Sequence, residues 1–280
     1  MDVFTRFFNN LGYSLRLFDI EFSKARALAE GCGALWFDST PQAVSGADLV
    51  ILCTPIKETP NVIGEVVPHM KEDSILCEIA SLKKRTSTAL KITLSRRIQP
   101  LSIHPMFGPD IGKIEGQTIV VVPILDQEKE TSLTREIFPK TETIALDADT
   151  HDSFMATILS LPYFMNLVFA KSLPLKDLSL LRRLAGTTFA VQLAVAQSIV
   201  GESPELIWSL INENVFSKDS INRFIDESRF IRRLLKKEHG EIEKFLDTLQ
   251  AEMIKDPEEV KARTIRNEFF KALRANKGQF

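Results

Sequence analysis

Strand-like and helix-like segments alternate over the first 146 residues, and this alternation restricts the fold more than any other feature of the sequence. Short apolar runs are each followed by a stretch with helical periodicity. Strands that alternate with helices form parallel sheets, because each helix returns the chain to the edge where the previous strand began. We therefore predict an α/β doubly wound, Rossmann-like parallel sheet. The strands are predicted at 13–19, 48–54, 74–79, 98–103, 118–123 and 143–146, and the helices at 2–10, 21–30, 57–70, 82–95 and 127–138.

After Leu146 the sequence contains helical patterns only. The first two predicted helices are apolar on several faces, and such helices need partners on several sides. We therefore predict two domains, a sheet domain over 1–146 and an all-α domain over 147–280 that forms a homodimer. The helices of the second domain are predicted at 151–173, 178–200, 204–214, 219–239, 241–254 and 257–275.

Composition excludes several classes of protein. A net charge of −2 over 280 residues gives no reason to expect a nucleic-acid partner. Three cysteines without close spacing indicate neither a disulfide framework nor a metal site, and they favour the cytoplasm. No apolar run is expected to be long enough to cross a bilayer, and the N-terminus lacks the layout of a signal peptide, so no membrane contact is expected.

The stretch His104-Pro105-Met106-Phe107-Gly108-Pro109 is the main candidate for chemistry. An apolar run ends at His104, and the two prolines are expected to fix the loop that follows. A histidine held in this way is a natural general acid or base near neutral pH. The alternative is a structural histidine whose ring is satisfied by the backbone, and local features alone do not decide between the two.

Two other predicted strands end in residues suited to a dinucleotide. Asp19 ends the strand at 13–19, where a carboxylate can bind the adenosine ribose hydroxyls of NAD and repel the additional phosphate of NADP. Its alternative is a turn or helix-capping residue. Thr54, Pro55 and Ile56 follow the strand at 48–54 and are expected to border the cofactor, because ligands of such sheets lie against strand carboxyl ends.

Ser81 lies where the strand at 74–79 leads into the next predicted helix. Its hydroxyl could cap that helix or bind a substrate oxygen in the same crevice as His104, and capping is the simpler interpretation. The run Lys83-Lys84-Arg85 follows at once. Such short basic runs are typical of a solvated helix face.

With these residues in place, the chain resembles prephenate dehydrogenases, particularly the archaeal and enteric-type forms, over most of its length. The resemblance rests on the Asp19 strand, on 80–83, on the block that begins at His104, and on Thr150-His151-Asp152. It implies NAD as cofactor and prephenate or arogenate as substrate. It also implies that His104 takes the proton of the ring hydroxyl as C4 passes hydride to the nicotinamide, and that loss of carbon dioxide then leaves an aromatic ring. Finally, it implies that Ser81 lies near the substrate hydroxyl.

The resemblance also suggests substrate-binding residues, among them Gly108 in the histidine block. Tyr163 stands where family members often have a histidine. Prephenate is a dianion and needs a cation, and Arg182 and Arg183 are the candidates nearest in sequence. His151 matches a family histidine, and we interpret it as an inter-domain contact rather than a catalyst.

The front of the chain departs from the family pattern. Family members begin with a strand and a glycine-rich phosphate loop, whereas this sequence starts at Met1, directly before the first predicted helix. Because the phosphate loop is missing, we expect the chain as written to bind NAD weakly or not at all. Either a start site assigned too far downstream or a true truncation would explain the missing segment.

Three functions remain open at this stage. The first is a prephenate dehydrogenase that also or instead accepts arogenate. The second is another nicotinamide enzyme of similar build, such as an imine reductase or hydroxyacid dehydrogenase, against which the His104 block argues. The third is a dimeric binding or scaffold protein without catalysis, which cofactor titration would distinguish from the first.

Overall fold

The computed structural model describes residues 2–253 and 259–275, and these divide into two compact units, 1–155 and 156–280. Elements are numbered in chain order. The strands are β1 (Arg16–Leu17), β2 (Leu35–Trp36), β3 (Leu49–Leu52), β4 (Ile75–Glu78), β5 (Gln99–Pro105), β6 (Thr118–Val121) and β7 (Glu142–Ala145). The helices of the first unit are α1 (Asp2–Asn10), α2 (Phe22–Cys32), α3 (Thr40–Val44), α4 (Thr59–Val66), α5 (Lys84–Leu90), α6 (Gln127–Ile137) and α7 (Ala148–Met155).

The strands of the first unit form two sheets. The larger sheet has the order β3-β4-β5-β6-β7, and β1 pairs with β2 in a separate parallel sheet. The predicted doubly wound architecture is confirmed, but β2 and α3 were not predicted, and the strand expected at 13–19 is reduced to Arg16–Leu17. Among the described residues, β1 and β3 each pair with a strand on one side only.

The larger sheet is not parallel throughout. Strands β3, β4 and β5 are parallel, β6 is antiparallel to β5, and β7 is parallel to β6. The reason lies in residues 106–117, which contain no helix to return the chain to the opposite edge. A connection without a crossover reverses the strand direction.

Helices cover both faces of the larger sheet. On one face Leu101 and Ile103 pack against Phe4 and Phe8 of α1 and against Phe138. On the other face the apolar side chains of β3 and β4 pack against α4 and α5. Successive strand residues point to opposite faces, so Ser102 and His104 lie on the face opposite to Leu101 and Ile103. The fold thereby directs these two polar side chains away from the apolar core under α1.

The second unit is helical, as predicted. Its helices are α8 (Leu161–Ser172), α9 (Leu178–Leu184), α10 (Thr187–Val200), α11 (Pro204–Asn212), α12 (Ser217–Leu234), α13 (His239–Met253) and α14 (Glu259–Ala275). The single helix predicted at 178–200 is divided before Gly186, which occupies the N-cap position of α10. Ile254, at the end of one predicted helix, and residues 257 and 258 of the next lie outside the described residues.

A π-helical turn, Ala156–Ser160, joins α7 to α8. Pro162 follows that turn, and a proline has no N–H to continue the regular helical hydrogen bonds.

The whole helix Ala148–Ser172 has 25 residues and is apolar enough that it could cross a membrane by length and composition. The expectation that no apolar run is long enough is therefore wrong. Core helices of water-soluble proteins meet the same criterion, and α8 packs against α10, α11 and α12.

Candidate active site

His104 lies inside β5, opposite Val120 of β6. We had expected the strand to end before this residue, but pairing with β6 continues it through Pro105. The backbone of His104 is therefore held by a strand ladder, which fixes it more firmly than a loop would. Its side chain is 5% exposed.

The ring of His104 is the first member of a hydrogen-bonded chain. Its Nδ1 lies 2.9 Å from Nε2 of His151, and Nδ1 of His151 lies 2.8 Å from Oδ1 of Asp152. All three side chains are buried. His151 and Asp152 belong to α7, which lies in the same unit as His104. The contact of His151 with the ring of His104 therefore joins the two predicted domains within one compact unit, and a catalytic part for His151 stays a prediction.

The hydrogen-bonded chain His104–His151–Asp152 determines which nitrogen of His104 carries a proton. A carboxylate only accepts hydrogen bonds, so Nδ1 of His151 carries the proton that it shares with Asp152. In neutral His151, Nε2 is then an acceptor, and Nδ1 of His104 donates to it. Nε2 of His104 is left without a proton, so it can accept one. The arrangement follows the same logic as a histidine oriented by a carboxylate in hydrolytic triads.

Burial lowers the pKa of His104 well below its usual value, and the positive charge of Lys83 and the ring of His151 lower it further. The ring therefore stays neutral at neutral pH, as a proton acceptor must.

Lys83 is fully buried beside a fully buried carboxylate. Its Nζ lies 2.7 Å from Oε1 of Glu78 and also donates to the carbonyl of Ile103. Glu78 accepts further hydrogen bonds from Ser102, from Thr86 and from the backbone N–H of Ala80. The prediction that Lys83 belongs to a solvated basic face is therefore wrong, although Lys84 and Arg85 are exposed.

The start of α5 is capped by a residue far away in sequence. Oδ1 of Asp152 accepts from the backbone N–H of Lys83 at 2.8 Å, and Oδ2 accepts from that of Lys84 at 3.0 Å. These are two of the N–H groups that a helix start leaves without partners. The simpler interpretation of Ser81 as the capping residue is therefore wrong. Ser81 is half-buried beyond the end of β4, next to the strand that carries His104.

Helix α7 begins where it does because Asp147 precedes it. The carboxylate of Asp147 accepts from the backbone N–H of Thr150 at 2.9 Å and from its hydroxyl at 2.6 Å. These hydrogen bonds lower the pKa of Asp147. The cap fixes the first turn of the helix and thereby the position of His151.

The predicted cofactor residues follow strands of the two different sheets. Asp19 comes after β1, and Oδ1 of its carboxylate accepts from the N–H of Glu21 at 2.8 Å, the turn contact that we gave as the alternative role. Thr54, Pro55 and Ile56 follow β3 and are partly or fully exposed, with the hydroxyl of Thr54 2.9 Å from that of Thr59. A ribose-binding role for Asp19 stays a prediction.

The predicted substrate residues lie in both units. Gly108 is exposed in the loop after β5. Tyr163 is half-buried on α8, where burial and the charge of Glu202 raise its pKa. Arg182 and Arg183 are exposed in the last turn of α9. Their roles stay predictions.

Two family models match this chain. The one described as "Prephenate dehydrogenase, nucleotide-binding domain" matches residues 5–126. The one described as "Prephenate dehydrogenase, dimerization domain" matches residues 147–251. The chain belongs to the prephenate dehydrogenase family.

Among curated family members, the probable arogenate/prephenate dehydrogenase of Methanocaldococcus jannaschii is 25% identical over 247 residues, which are 85% of this chain and 55% of the relative. The T-protein of Enterobacter agglomerans is 28% identical over 212 residues, which are 74% of this chain and 56% of the relative. The chain therefore spans about half the length of the curated relatives it matches.

A solved structure of prephenate dehydrogenase from A. aeolicus, in complex with hydroxyphenyl propionate and NAD+, superposes with a TM-score of 0.72 at 17% identity and covers 91% of this chain and 94% of that chain. At this identity the likeness shows the fold alone. It agrees with the observed sheet unit followed by a helical unit.

Sequence reasoning missed the buried contacts of His151, Asp152, Lys83 and Glu78. The motif Thr150-His151-Asp152 was a usable signal, because a histidine beside an aspartate can be oriented by it. The lysine gave no local signal, since its neighbours are exposed and its partners come from two other strands.

Proposed function

We propose that this protein is an NAD-dependent dehydrogenase that oxidatively decarboxylates prephenate to 4-hydroxyphenylpyruvate in tyrosine biosynthesis, with arogenate as the alternative substrate. The observation that carries this proposal is the buried chain Asp152–His151–His104, which leaves Nε2 of His104 free to accept a proton. Membership of the family supports it. A cytoplasmic location stays a prediction.

In the proposed reaction, Nε2 of His104 accepts the proton of the ring hydroxyl at C4. That transfer turns the hydroxyl into a carbonyl-like oxygen as hydride leaves C4, and the ring becomes aromatic when the carboxylate at C1 departs as carbon dioxide. Aromatisation supplies much of the driving force, so the protein has to orient the reactants and remove one proton. After transfer, the imidazolium of His104 still donates through Nδ1 to His151, whose acceptor nitrogen needs no rearrangement. The electron pair of the broken bond to the carboxylate enters the ring and leaves a phenolate oxygen at C4. That oxygen takes the proton back from Nε2, so His104 is neutral again.

NAD would supply the hydride acceptor. The residues suited to hold it are Asp19, for the ribose hydroxyls, and Thr54, Pro55 and Ile56, whose backbone lies beyond the carboxyl end of β3. One oxygen of Asp19 serves the turn to Glu21, and the second oxygen makes no hydrogen bond among the described residues, so it is available to a ribose.

Substrate binding would use residues that carry no other structural duty. The hydroxyl of Ser81 makes no hydrogen bond within the described part of the chain and can bind the substrate hydroxyl. Gly108 presents no side chain, and a Cβ built there would meet no atom within 4 Å, so a ligand could approach its backbone. Tyr163, Arg182 and Arg183 stay candidates for the substrate carboxylates.

The decisive experiment is an assay of NADH formation by the purified chain with prephenate and, separately, with arogenate. Release of the aromatic product in equal amount to NADH would support the proposal, and the ratio of kcat/KM for the two substrates would identify the preferred one. A correctly folded chain that forms NADH with neither substrate would overturn the proposal and favour a non-catalytic binding protein.

We expect a preference for NAD over NADP, because the carboxylate of Asp19 would repel a ribose phosphate. Asp19→Ser should narrow the ratio of the two dissociation constants by about tenfold, which corresponds to about 1.4 kcal/mol. Calorimetry with both cofactors measures this ratio. Asp226→Ser, which removes an exposed carboxylate from α12, should leave it unchanged. Tighter binding of NADP than of NAD by the unmodified chain would contradict the assignment.

We also expect a homodimer built on the helical unit, since the matched family model is a dimerization domain and α8 to α10 expose apolar side chains. These include Met165, Val168, Leu180, Leu184 and Val195. Light scattering at low micromolar concentration should give about twice 31.6 kDa. Introducing Asp at both Val168 and Val195 should give a monomer, whereas Leu125→Asp, an equally exposed apolar site on the sheet unit, should leave the dimer intact.

A further inference from the structure

We propose that Lys83 is a positioning residue for His104. The ammonium group of Lys83 holds the backbone carbonyl directly before His104. The backbone N–H of Lys83 holds the carboxylate of Asp152, at the other end of the hydrogen-bonded chain Asp152–His151–His104. This inference rests on the proposed function of His104 as a base. It assigns a role to a buried ion pair that the proposed reaction does not otherwise use.

The first contact is made by the side chain. Nζ of Lys83 donates to the carbonyl of Ile103, the residue directly before His104, and to Oε1 of Glu78 at 2.7 Å. The side chains of Lys83, Ser102 and Thr86 and the N–H of Ala80 all donate to Glu78, as an ionised carboxylate requires. Burial lowers the pKa of Lys83, whereas the charge of Glu78 and its hydrogen bond to Lys83 act in the opposite direction. The carboxylate thereby balances the positive charge of Lys83 beside the strand that carries the imidazole. A buried pair of this kind adds little to stability compared with apolar residues of similar volume, so its presence invites a functional explanation.

The second contact is made by the backbone. The N–H of Lys83 donates to Oδ1 of Asp152 at 2.8 Å, and this same oxygen lies 2.8 Å from Nδ1 of His151. The path from Lys83 therefore closes on itself through Asp152, His151, His104 and Ile103. One residue fixes both ends of the chain that determines which nitrogen of His104 accepts the proton.

The charge of Lys83 has a second effect on His104. The charged groups around this ring are Lys83 at the start of α5, Glu78 of β4 behind the lysine, and Asp152 of α7 behind His151; β6 places Val120 opposite. A second positive charge beside the ammonium is unfavourable, which lowers the pKa of His104. Because a base must be neutral to work, removing the charge of Lys83 should move the acidic limb of activity to higher pH.

The test uses the full chain with both buried charges removed together, as Lys83→Met/Glu78→Gln, so that no unpaired charge remains in the core. NMR of labelled histidines follows the titration of each ring, and His104→Asn identifies the signal of His104. We expect the pKa of His104 to rise by about one unit in the double variant, which is roughly a tenfold change in proton affinity. The acidic limb of kcat/KM should move by the same amount.

Lys84→Met is the matched control, because Lys84 is the next residue and its exposed side chain pairs with Asp149. Its His104 titration should equal that of the unmodified chain. If the double variant does not fold, Lys83→Gln/Glu78→Gln, which keeps a polar side chain at both buried positions and leaves no unpaired charge, should also raise the pKa of His104. A folded variant without Lys83 whose His104 titration is unchanged would overturn the inference. The NMR measurement needs no substrate. If the unmodified chain were inactive but the pKa of His104 still rose in the variant, the proposed function would be overturned and the role of Lys83 would stand.

Discussion

Replacing His104 with Asn is expected to lower turnover by about two to four orders of magnitude while NAD binding changes little. The amide of Asn can donate to Nε2 of His151 in place of Nδ1 of His104, so the buried chain keeps its hydrogen bond. What the variant lacks is the second ring nitrogen, which accepts the proton in the proposed reaction. The effect should therefore appear in kcat, with the cofactor dissociation constant close to that of the unmodified chain.

The matched control is His69→Asn, since His69 is exposed in the short helix Val67–His69 and contacts no member of the buried chain. Its steady-state kinetics should match those of the unmodified chain. Turnover of His104→Asn within about fivefold of the unmodified value would remove His104 from the role of base.

Asp152→Asn is expected to lower turnover by about two orders of magnitude or more and to reduce the free energy of unfolding by about 1–3 kcal/mol. The carboxylate accepts hydrogen bonds from the ring of His151 and from the N–H groups of Lys83 and Lys84. Asn has one acceptor oxygen and one donor group. In one orientation the oxygen of Asn faces His151, and its NH2 group then meets the N–H of Lys84, which is also a donor. In the other orientation the NH2 group faces His151, and Nδ1 of His151 must then accept, so the imidazole has to adopt the other tautomer.

The second orientation explains the expected loss of activity. A reversed His151 donates through Nε2 to His104, which then carries its own proton on Nε2 and cannot accept another. Steady-state kinetics and urea unfolding measure the two effects separately. Asp149→Asn is the control on the same helix, where an exposed pair with Lys84 contributes little. If Asp152→Asn and Asp149→Asn gave equal kinetics, the carboxylate would have no part in setting the tautomer.

The sequence predicted the elements of the first unit well where periodicity was strong. Helix α1 begins and ends at the predicted residues. The flanking prolines and glycine indicated His104 as a candidate base, and that role stays a prediction. The direction of β6 was predicted wrongly, although the absence of a helical pattern between 106 and 117 was a signal for reversal. Strand β1 is shorter than predicted because a strand forms only as far as it finds a partner, and within the described part of the chain β1 pairs with the two-residue strand β2 alone.

The surroundings of His104 could not be predicted from local patterns. Lys83 lies 69 residues from Asp152, and His104 lies 47 residues from His151. Burial of Lys83 depends on Glu78, Ser102 and the carbonyl of Ile103, which meet only when β4 and β5 pair in register. A lysine in a basic run is ordinarily solvated, so the local pattern indicated the wrong environment.

The position of His151 and Asp152 has a consequence for how this protein can be recombined with its relatives. The family model that matches 147–251 includes both residues, yet α7 belongs to the compact unit that ends at Met155. A chimaera joined at 146 would combine the His104 of one parent with the histidine–aspartate pair of the other. A junction after 155 would keep the hydrogen-bonded chain of Asp152, His151 and His104 within the part from one parent. Positions 83, 104, 151 and 152 should therefore be inherited as one block, and exchange of dimerisation modules between relatives should succeed only at junctions beyond the first two turns of the long apolar helix.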